Sequence, residues 1–217
     1  MTTRIKFCGL RRPEDVATAV ELEADYLGFV FAPSSPRALE PQAAEALLAE
    51  IPTGPAQRVG VFQDQPLRFI NEVVRRCRLD LVQLHGHEPR DLPGAIVVPV
   101  LRAMRVPTAS VPVPPPTRGV ELAPNVFGVL IDAMASDGRS GGTGRIPDAG
   151  ALEAAYAGLP AGTRVFLAGG LRPDTVAARI RNLAPFAVDV SSGIESAPGV
   201  KDRRRMAAFV AAVRSDS

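Results

Sequence analysis

The strongest constraint on the fold is a repeated alternation of short apolar segments with segments of helical character. Each apolar run is the length of one strand, and most are followed by apolar residues at helical spacing. Strands that alternate with helices favour a parallel sheet, and eight such units favour a closed barrel. We therefore predict an α/β fold, a (β/α)8 TIM barrel. The predicted strands are 4–8, 26–31, 58–62, 81–84, 96–101, 126–131, 165 to the glycines at 169–170, and 188–191.

The fifth unit is the weak point of the pattern. The sequence predicts a brief helical piece over 88–92 and a fifth strand over 96–101 that contains Pro99. Residues 102–125 then lose the pattern, and the prolines at 112–116 exclude a regular helix. Helix five is therefore expected to be short or irregular. An open, doubly wound sheet is the alternative fold, but no Gly-x-Gly-x-x-Gly motif follows the first strand.

Composition excludes several classes of protein. The 217 residues are 46% hydrophobic, which suits a single domain spanning 1–217 with one sizeable core. The net charge is +2, Trp is absent and only Arg203–Arg205 form a basic run, so no nucleic-acid partner is expected. No segment has the length and apolarity of a membrane span or a signal peptide, and the predicted location is the cytoplasm. Composition leaves monomer and homodimer open.

Four side chains that could act in catalysis or binding lie at or just after the ends of predicted strands. They are Cys8, Arg37 in the loop after the second strand, His85 and Asp132. In a barrel of this kind these positions share one mouth, where a thiol and a carboxyl group suggest acid–base catalysis. Each also has a structural alternative: a buried strand cysteine, a surface arginine, a core histidine or a loop-capping aspartate. No group has metal-ligand spacing, so no metal site is expected.

Two neighbouring loops have the composition of a phosphate site. Gly169 and Gly170 end the seventh strand, and Ser191, Ser192 and Gly193 end the eighth. Glycine-rich junctions offer backbone N–H groups to an anion, and the loops after strands seven and eight of such barrels often hold phosphate. Two ordinary turns are the alternative. The predicted partner is therefore a small phosphorylated molecule.

The remaining features concern a loop and the second cysteine. Residues 137–144, which include Gly142, form a glycine-rich loop that suits either a lid over substrate or a flexible linker. Cys77 lies on an apolar helical face, so it is expected to be a buried core residue. Cys8, at a strand end, is expected to be partly accessible.

Eight motifs, taken in order, resemble the phosphoribosylanthranilate isomerase family of tryptophan biosynthesis over almost the whole chain. They are Lys6-Phe-Cys-Gly9, Gly28-Phe-Val-Phe31 with Ser35-Pro-Arg37, Val61-Phe62, Val82-Gln-Leu-His-Gly86, Leu130-Ile-Asp132, Gly141-Gly-Thr-Gly144, Ala168-Gly-Gly-Leu171 and Val188-Asp-Val-Ser-Ser-Gly-Ile-Glu195.

This resemblance implies an Amadori rearrangement that needs neither metal nor cofactor. It implies that Cys8 is the general base, that Asp132 is the general acid and that Arg37 lies near the anthranilate carboxylate. The loops at 169–170 and 191–193 match the phosphate site, and His85 lies in a matching motif. The sequence departs from the family after Gly144, where Arg145 stands in place of the usual lysine.

Two other functions stay open at this point. A related phosphosugar isomerase of histidine biosynthesis typically pairs two aspartates at strands one and six, whereas this chain has Cys8 in the first position. A barrel that binds a phosphorylated ligand without catalysis has no need of an acid–base pair.

Overall fold

The computed structural model is a closed barrel of eight parallel strands with helices between them, and it describes residues 2–50, 54–107, 122–134 and 149–215. The strands follow one another around the barrel in chain order. This confirms the predicted TIM-barrel architecture. The barrel strands are β1 (Arg4–Cys8), β2 (Tyr26–Val30), β3 (Gln57–Phe62), β4 (Leu81–Leu84), β5 (Val100–Pro107), β6 (Val126–Met134), β7 (Val165–Ala168) and β8 (Ala187–Val190).

Six α-helices and three smaller elements complete the described chain. The helices are α1 (Pro13–Glu21), α2 (Pro41–Ala49), α3 (Leu67–Cys77), α4 (Ala149–Ala157), α5 (Val176–Leu183) and α6 (Arg203–Arg214). Short 3-10 helices cover Leu92–Ala95 and Ser192–Ile194, and β9 (Glu195–Ala197) and β10 (Val200–Lys201) form a small antiparallel hairpin. None of the helices in this part of the chain has the length and apolarity needed to cross a membrane.

The first residues of several helices are of types that favour a helix N-terminus. Pro13 and Pro41 occupy the first position of α1 and α2, where a missing N–H group costs nothing. The Asp202 carboxylate caps α6 by accepting a hydrogen bond from the backbone N–H of Arg205 at 3.0 Å. The cap fixes the start of α6 directly after the β9–β10 hairpin.

The fifth unit differs from the sequence prediction. Strand β5 begins at Val100, after Pro99, and continues to Pro107 rather than covering 96–101. A proline has no N–H group for a strand ladder, so pairing with β4 starts only past it. The helical piece is the 3-10 helix Leu92–Ala95 and not 88–92. The predicted irregular helix five falls largely on 108–121, which lie outside the described residues.

Apolar side chains fill two compartments. One cluster fills the inside of the barrel, and a larger one lies between the strands and the helices. Inside the barrel, the fully buried Phe166 ring meets Tyr26 edge to face with centroids 5.1 Å apart. The inner cluster comprises Tyr26, Val59, Leu81, Leu101, Leu130, Phe166, Ala168 and Ala187. These side chains close the interior below the barrel mouth.

We predict that Phe166→Ala lowers the free energy of unfolding by about 3–5 kcal/mol, because it leaves a cavity among side chains that belong to seven strands. The measurement is urea unfolding monitored by circular dichroism. Val97→Ala is the control, since Val97 is 61% exposed and its loss should cost less than about 0.5 kcal/mol. Equal stability of the two variants would contradict this view of the core.

Candidate active site

A cavity of about 540 Å³ opens where the barrel strands end. Cys8 is the last residue of β1, His85 follows β4, and Asp132 lies near the end of β6. All three line the cavity, together with the loops after β7 and β8. Strands β7 and β8 separate β1 from β6 around the barrel, so the thiol and the carboxyl group reach the cavity from different parts of its wall.

Cys8 lines this cavity and is only 8% exposed. The thiol is therefore more buried than the sequence predicted, because neighbouring strands pack closely around the end of β1, and its remaining exposure is to the cavity. Burial raises the pKa of the Cys8 thiol, and the positive charge of Lys6 acts in the opposite direction. A Cβ atom on Gly28, in the adjacent strand, would lie 3.1 Å from both the Cys8 sulfur and Lys6 Nζ.

A buried ion pair lies beneath Cys8. Lys6 and Cys8 are two residues apart on β1, so both point into the barrel. Lys6 Nζ donates a hydrogen bond of 2.9 Å to Asp189 Oδ1 on β8, and Asp189 itself borders the cavity. Burial alone would lower the pKa of Lys6, but the charges of Asp189 and Cys8 raise it above its ordinary value. Lys6 therefore stays cationic.

Asp132 is held by a short relay on the opposite part of the wall. His85 Nε2 lies 3.1 Å from Asp132 Oδ2, and Gln83 Nε2 lies 3.0 Å from His85 Nδ1. An amide NH2 group can only donate, so His85 Nδ1 accepts and His85 Nε2–H donates to the carboxylate. Arg105, in register with Asp132 on β5, donates to the backbone carbonyl of His85 at 2.9 Å. These contacts leave Asp132 Oδ1 without a partner in the described part of the chain.

Arg37 is anchored by a second buried network. Its Nε and Nη2 donate to the two carboxylate oxygens of Glu195 at 2.8 and 2.7 Å. Lys201 Nζ donates to the same carboxylate at 2.8 Å and to the backbone carbonyl of Ser191 at 3.2 Å. Burial alone would raise the pKa of Glu195, but these two cations hold it below its ordinary value. The pairing is bidentate, so it fixes the plane of the guanidinium group at the cavity wall.

The loops after β7 and β8 present backbone to the cavity. Gly169 and Gly170 have φ angles of 88° and 64°, in the left-handed region where glycine is favoured. Ser191 Oγ donates to the carbonyl of Cys8 at 3.0 Å, which ties the eighth loop to the end of β1. Within the described part of the chain, the amides of Gly170 and Ser192 donate to no protein acceptor. Both residues line the cavity, so both N–H groups are available to an anion.

The structure brings most of the predicted site residues to one cavity. Its lining includes Cys8, Arg37, His85, Asp132, Gly169, Gly170, Ser191 and Ser192. Gly193 is not part of the lining, and a Cβ atom at this position would overlap with the carbonyl oxygen of Leu171. Gly142 and the rest of its glycine-rich loop lie outside the described residues.

Sequence reasoning missed five charged residues of the site. Arg105 was overlooked because the predicted strand five ended before it. The others lie in or near recognised motifs, and strand alternation could have placed Lys6 on the same inner face as Cys8. The pairing partners could not be found, because the ion pairs join distant parts of the chain. The five residues are Lys6, Arg105, Asp189, Glu195 and Lys201.

Cys77 occupies a different environment. It is 2% exposed and lies on α3, with its sulfur 3.8 Å from the carbonyl of Pro41 at the start of α2. Burial raises the pKa of Cys77 to about 11. This confirms the prediction of a buried core cysteine, outside the barrel.

The arrangement suits acid–base chemistry on an anionic ligand. A thiol beside an ammonium group and a carboxyl group held by a histidine border one cavity, which also offers an arginine and free amides. The residues described here contain no cluster of three or more His, Cys, Asp or Glu side chains placed to hold a metal ion.

Comparison with known proteins identifies the family of this chain. The family model for N-(5'-phosphoribosyl)anthranilate (PRA) isomerase matches residues 5–212. An N-(5'-phosphoribosyl)anthranilate isomerase from Geobacter sp. (strain M21) is 44% identical over 214 residues, covering 96% of this chain and 97% of the relative.

Two solved structures are also similar over nearly all of the chain. Phosphoribosyl anthranilate isomerase from Thermotoga maritima superposes with a TM-score of 0.83 at 32% identity, covering 99% of this chain and 100% of the other. A phosphoribosyl anthranilate isomerase in complex with reduced 1-(o-carboxyphenylamino)-1-deoxyribulose 5-phosphate has a TM-score of 0.79 at 31% identity, with coverage of 99% and 100%. The chain therefore belongs to the phosphoribosylanthranilate isomerase family.

Proposed function

We propose that this protein catalyses the Amadori rearrangement of N-(5-phosphoribosyl)anthranilate to 1-(2-carboxyphenylamino)-1-deoxyribulose 5-phosphate in tryptophan biosynthesis. The observation that carries the proposal is that Cys8 and Asp132 both line one cavity. Membership of the isomerase family supports it, as does the complex of a family member with the reduced form of this product.

Asp132 is the general acid in this proposal. Its O–H group donates a proton to the ring oxygen of the ribose, the C1–O bond breaks, and the nitrogen lone pair forms a C=N⁺ bond. His85 donates to Asp132 Oδ2, which leaves Oδ1 as the oxygen that faces the ligand. His85 therefore orients the acid, and it lines the same cavity.

Cys8 is the general base. Its thiolate removes the proton from ribose C2, whose acidity is increased by the adjacent C=N⁺ bond. The C2–H electron pair forms the C1=C2 bond, and the C=N⁺ electrons return to nitrogen. The enolamine then gains a proton at C1 and releases one from the C2 hydroxyl group, which yields the ketone. No atom is gained or lost, and no oxidant is required.

The two anionic ends of the substrate have separate binding groups. We infer that the 5-phosphate lies at the loops after β7 and β8, where Gly170 and Ser192 offer free amides beside Gly169 and Ser191. Arg37, held in a fixed plane by Glu195, suits the planar anthranilate carboxylate. Gly193 supports the phosphate loop through its close contact with the Leu171 carbonyl.

Cellular context and assembly complete the proposal. We infer a cytoplasmic enzyme of one domain over 1–217, acting on a small phosphorylated metabolite as a monomer or homodimer.

The function itself is tested by complementation. The chain is expected to restore growth of a bacterial strain that lacks phosphoribosylanthranilate isomerase on medium without tryptophan. A strain that lacks the corresponding isomerase of histidine biosynthesis is the control and should not be rescued without histidine. Rescue of the histidine strain alone would identify the substrate as that of the histidine-pathway isomerase. Rescue of neither strain would favour a barrel that only binds a phosphorylated ligand.

We predict that Cys8→Ser and Asp132→Asn each lower kcat by a factor on the order of 10² or more while ligand affinity is kept. A hydroxyl group is a much weaker base than a thiolate near neutral pH, and an amide cannot donate a proton as a carboxylic acid does. Single-turnover kinetics and calorimetric titration with the reduced product analogue measure the two effects. Turnover near that of the wild type in either variant would remove that residue from its role.

Substitution of Gly170 should weaken phosphate binding selectively. Gly170→Val introduces a branched side chain at a left-handed φ angle and displaces a free amide from the cavity. We expect affinity for a phosphorylated product analogue to fall by about tenfold or more, with little change for the analogue without phosphate. Gly94→Ala is the matched control, because a Cβ atom there meets no other atom within 4 Å. Equal losses for both analogues would place the phosphate elsewhere.

A further inference from the structure

Lys6 is a buried charge that the proposed chemistry leaves without a role. Its side chain is fully buried inside the barrel, in contact with Asp189 at 2.9 Å. Burying two charges is costly even when they are paired, and apolar side chains of similar size often stabilise a core as well or better. A need for the charge itself would explain why a lysine occupies this position.

The charges around Cys8 leave an excess of one positive charge. Three cations and two carboxylates lie near the sulfur on four different elements. Across the cavity, Asp132 is in register with Arg105 and contacts His85, so that side adds no net negative charge. The five nearby groups are Lys6 on β1, Asp189 on β8, Arg37 after β2, and Glu195 and Lys201 on the β9–β10 hairpin.

Lys6 is the cation best placed to act on the thiol. It belongs to the same inner face of β1 as Cys8. Lys6 Nζ and Cys8 Sγ would both lie 3.1 Å from a Cβ atom placed on Gly28. Arg37 and Lys201 are both engaged by Glu195, whose carboxylate neutralises part of their charge. Asp189 accepts from Lys6 through Oδ1, which holds the ammonium group in place and keeps it charged.

We propose that Lys6 is a positioning residue whose ammonium group, anchored by Asp189, compensates the negative charge of the Cys8 thiolate and so makes the base available. The proposal rests on the proposed function, because it explains how the base of that reaction forms. The thiol proton leaves to solvent in the cavity, its S–H electron pair stays on sulfur, and the sulfur later takes the ribose C2 proton.

The proposal predicts a shift in the pH dependence of Cys8. Burial raises the pKa of the thiol and Lys6 opposes that effect, so loss of Lys6 must raise the pKa further. The reaction needs the thiolate, and therefore the rising limb of the rate against pH must move to higher pH. One pKa unit is a tenfold change in the thiolate fraction, so we expect at least about a tenfold loss at pH 7.5.

The experiment measures the rate of iodoacetamide modification of Cys8 against pH, with peptide mass spectrometry to separate the two cysteines. Lys6→Met should move the midpoint up by at least about one unit and lower kcat, with KM nearly unchanged. Cys77, buried on α3, is the internal control for folding and should stay equally protected from the reagent in both proteins. An unchanged Cys8 midpoint in folded Lys6→Met would overturn the proposal.

A second variant separates charge from structural support. Lys6→Met/Asp189→Asn removes both members of the ion pair, so no buried charge is left alone and the fold should be retained. If Lys6 serves only the fold, this variant regains the wild-type Cys8 midpoint, and the proposal fails. If Lys6 supplies charge, the midpoint stays above the wild-type value but lies below that of Lys6→Met, because the same variant removes the Asp189 charge, which raises the pKa of the thiol less than Lys6 lowers it.

A measurement on the unsubstituted protein completes the test. With ¹³C-labelled lysine, the Lys6 ε-carbon signal should show a step at the pH of Cys8 ionisation, and Cys8→Ala should abolish that step. Its absence in the wild type would also overturn the proposal. The alkylation and NMR titrations need no substrate, so a chain that fails as an isomerase but shows the coupled titration would contradict the proposed function and leave the Lys6–Cys8 coupling intact.

Discussion

The pairing of β1 with β8 is the contact on which the site depends. It closes the barrel and places Lys6 in register with Asp189, which is 183 residues away in the chain. The same closure brings Ser191 to the carbonyl of Cys8. One strand pairing therefore assembles the proposed base, its charged neighbours and one phosphate loop. An open sheet with the same eight strands would leave these groups on opposite edges.

Electrostatics and burial oppose each other throughout this site. Burial raises the pKa of the Cys8 thiol, whereas the nearby cations favour the thiolate. Glu195 binds Arg37 and Lys201 together, so neither is a free charge, and the guanidinium plane is set before a ligand arrives. Such fixed groups need little reorganisation when charge moves during the reaction, which is the usual origin of electrostatic catalysis.

Much of the fold could be predicted from the sequence, because apolar strands and helical stripes report burial directly. The strands before and after the fifth unit agree with the prediction to within a few residues at their ends, whereas β5 does not. Pro99 lies within an apolar run that is typical of a strand, but the ladder begins only beyond it and continues to Pro107. The predicted strand ended at 101, and this early end concealed Arg105. A local sequence pattern does not show how far a strand stays hydrogen-bonded to its neighbours in the sheet.

The candidate site was predicted less completely than the fold. Strand-end positions identified Cys8, Asp132 and the two glycine and serine loops, because the barrel brings strand ends to one mouth. The ion pairs of Lys6 and Arg37 could not be predicted, since each joins segments more than 150 residues apart by a register known only once the barrel closes. The burial of Cys8 was missed for the same reason.

The most direct test follows the ribose carbons of the substrate during a single turnover. Excess purified protein is mixed with N-(5-phosphoribosyl)anthranilate labelled with ¹³C at C1 and C2, and the reaction is followed by NMR in D2O. We expect C2 to lose its hydrogen and become a ketone carbon, while C1 becomes a methylene carbon bound to nitrogen. Unchanged labelled carbons, or release of free anthranilate and ribose 5-phosphate alone, would contradict this expectation.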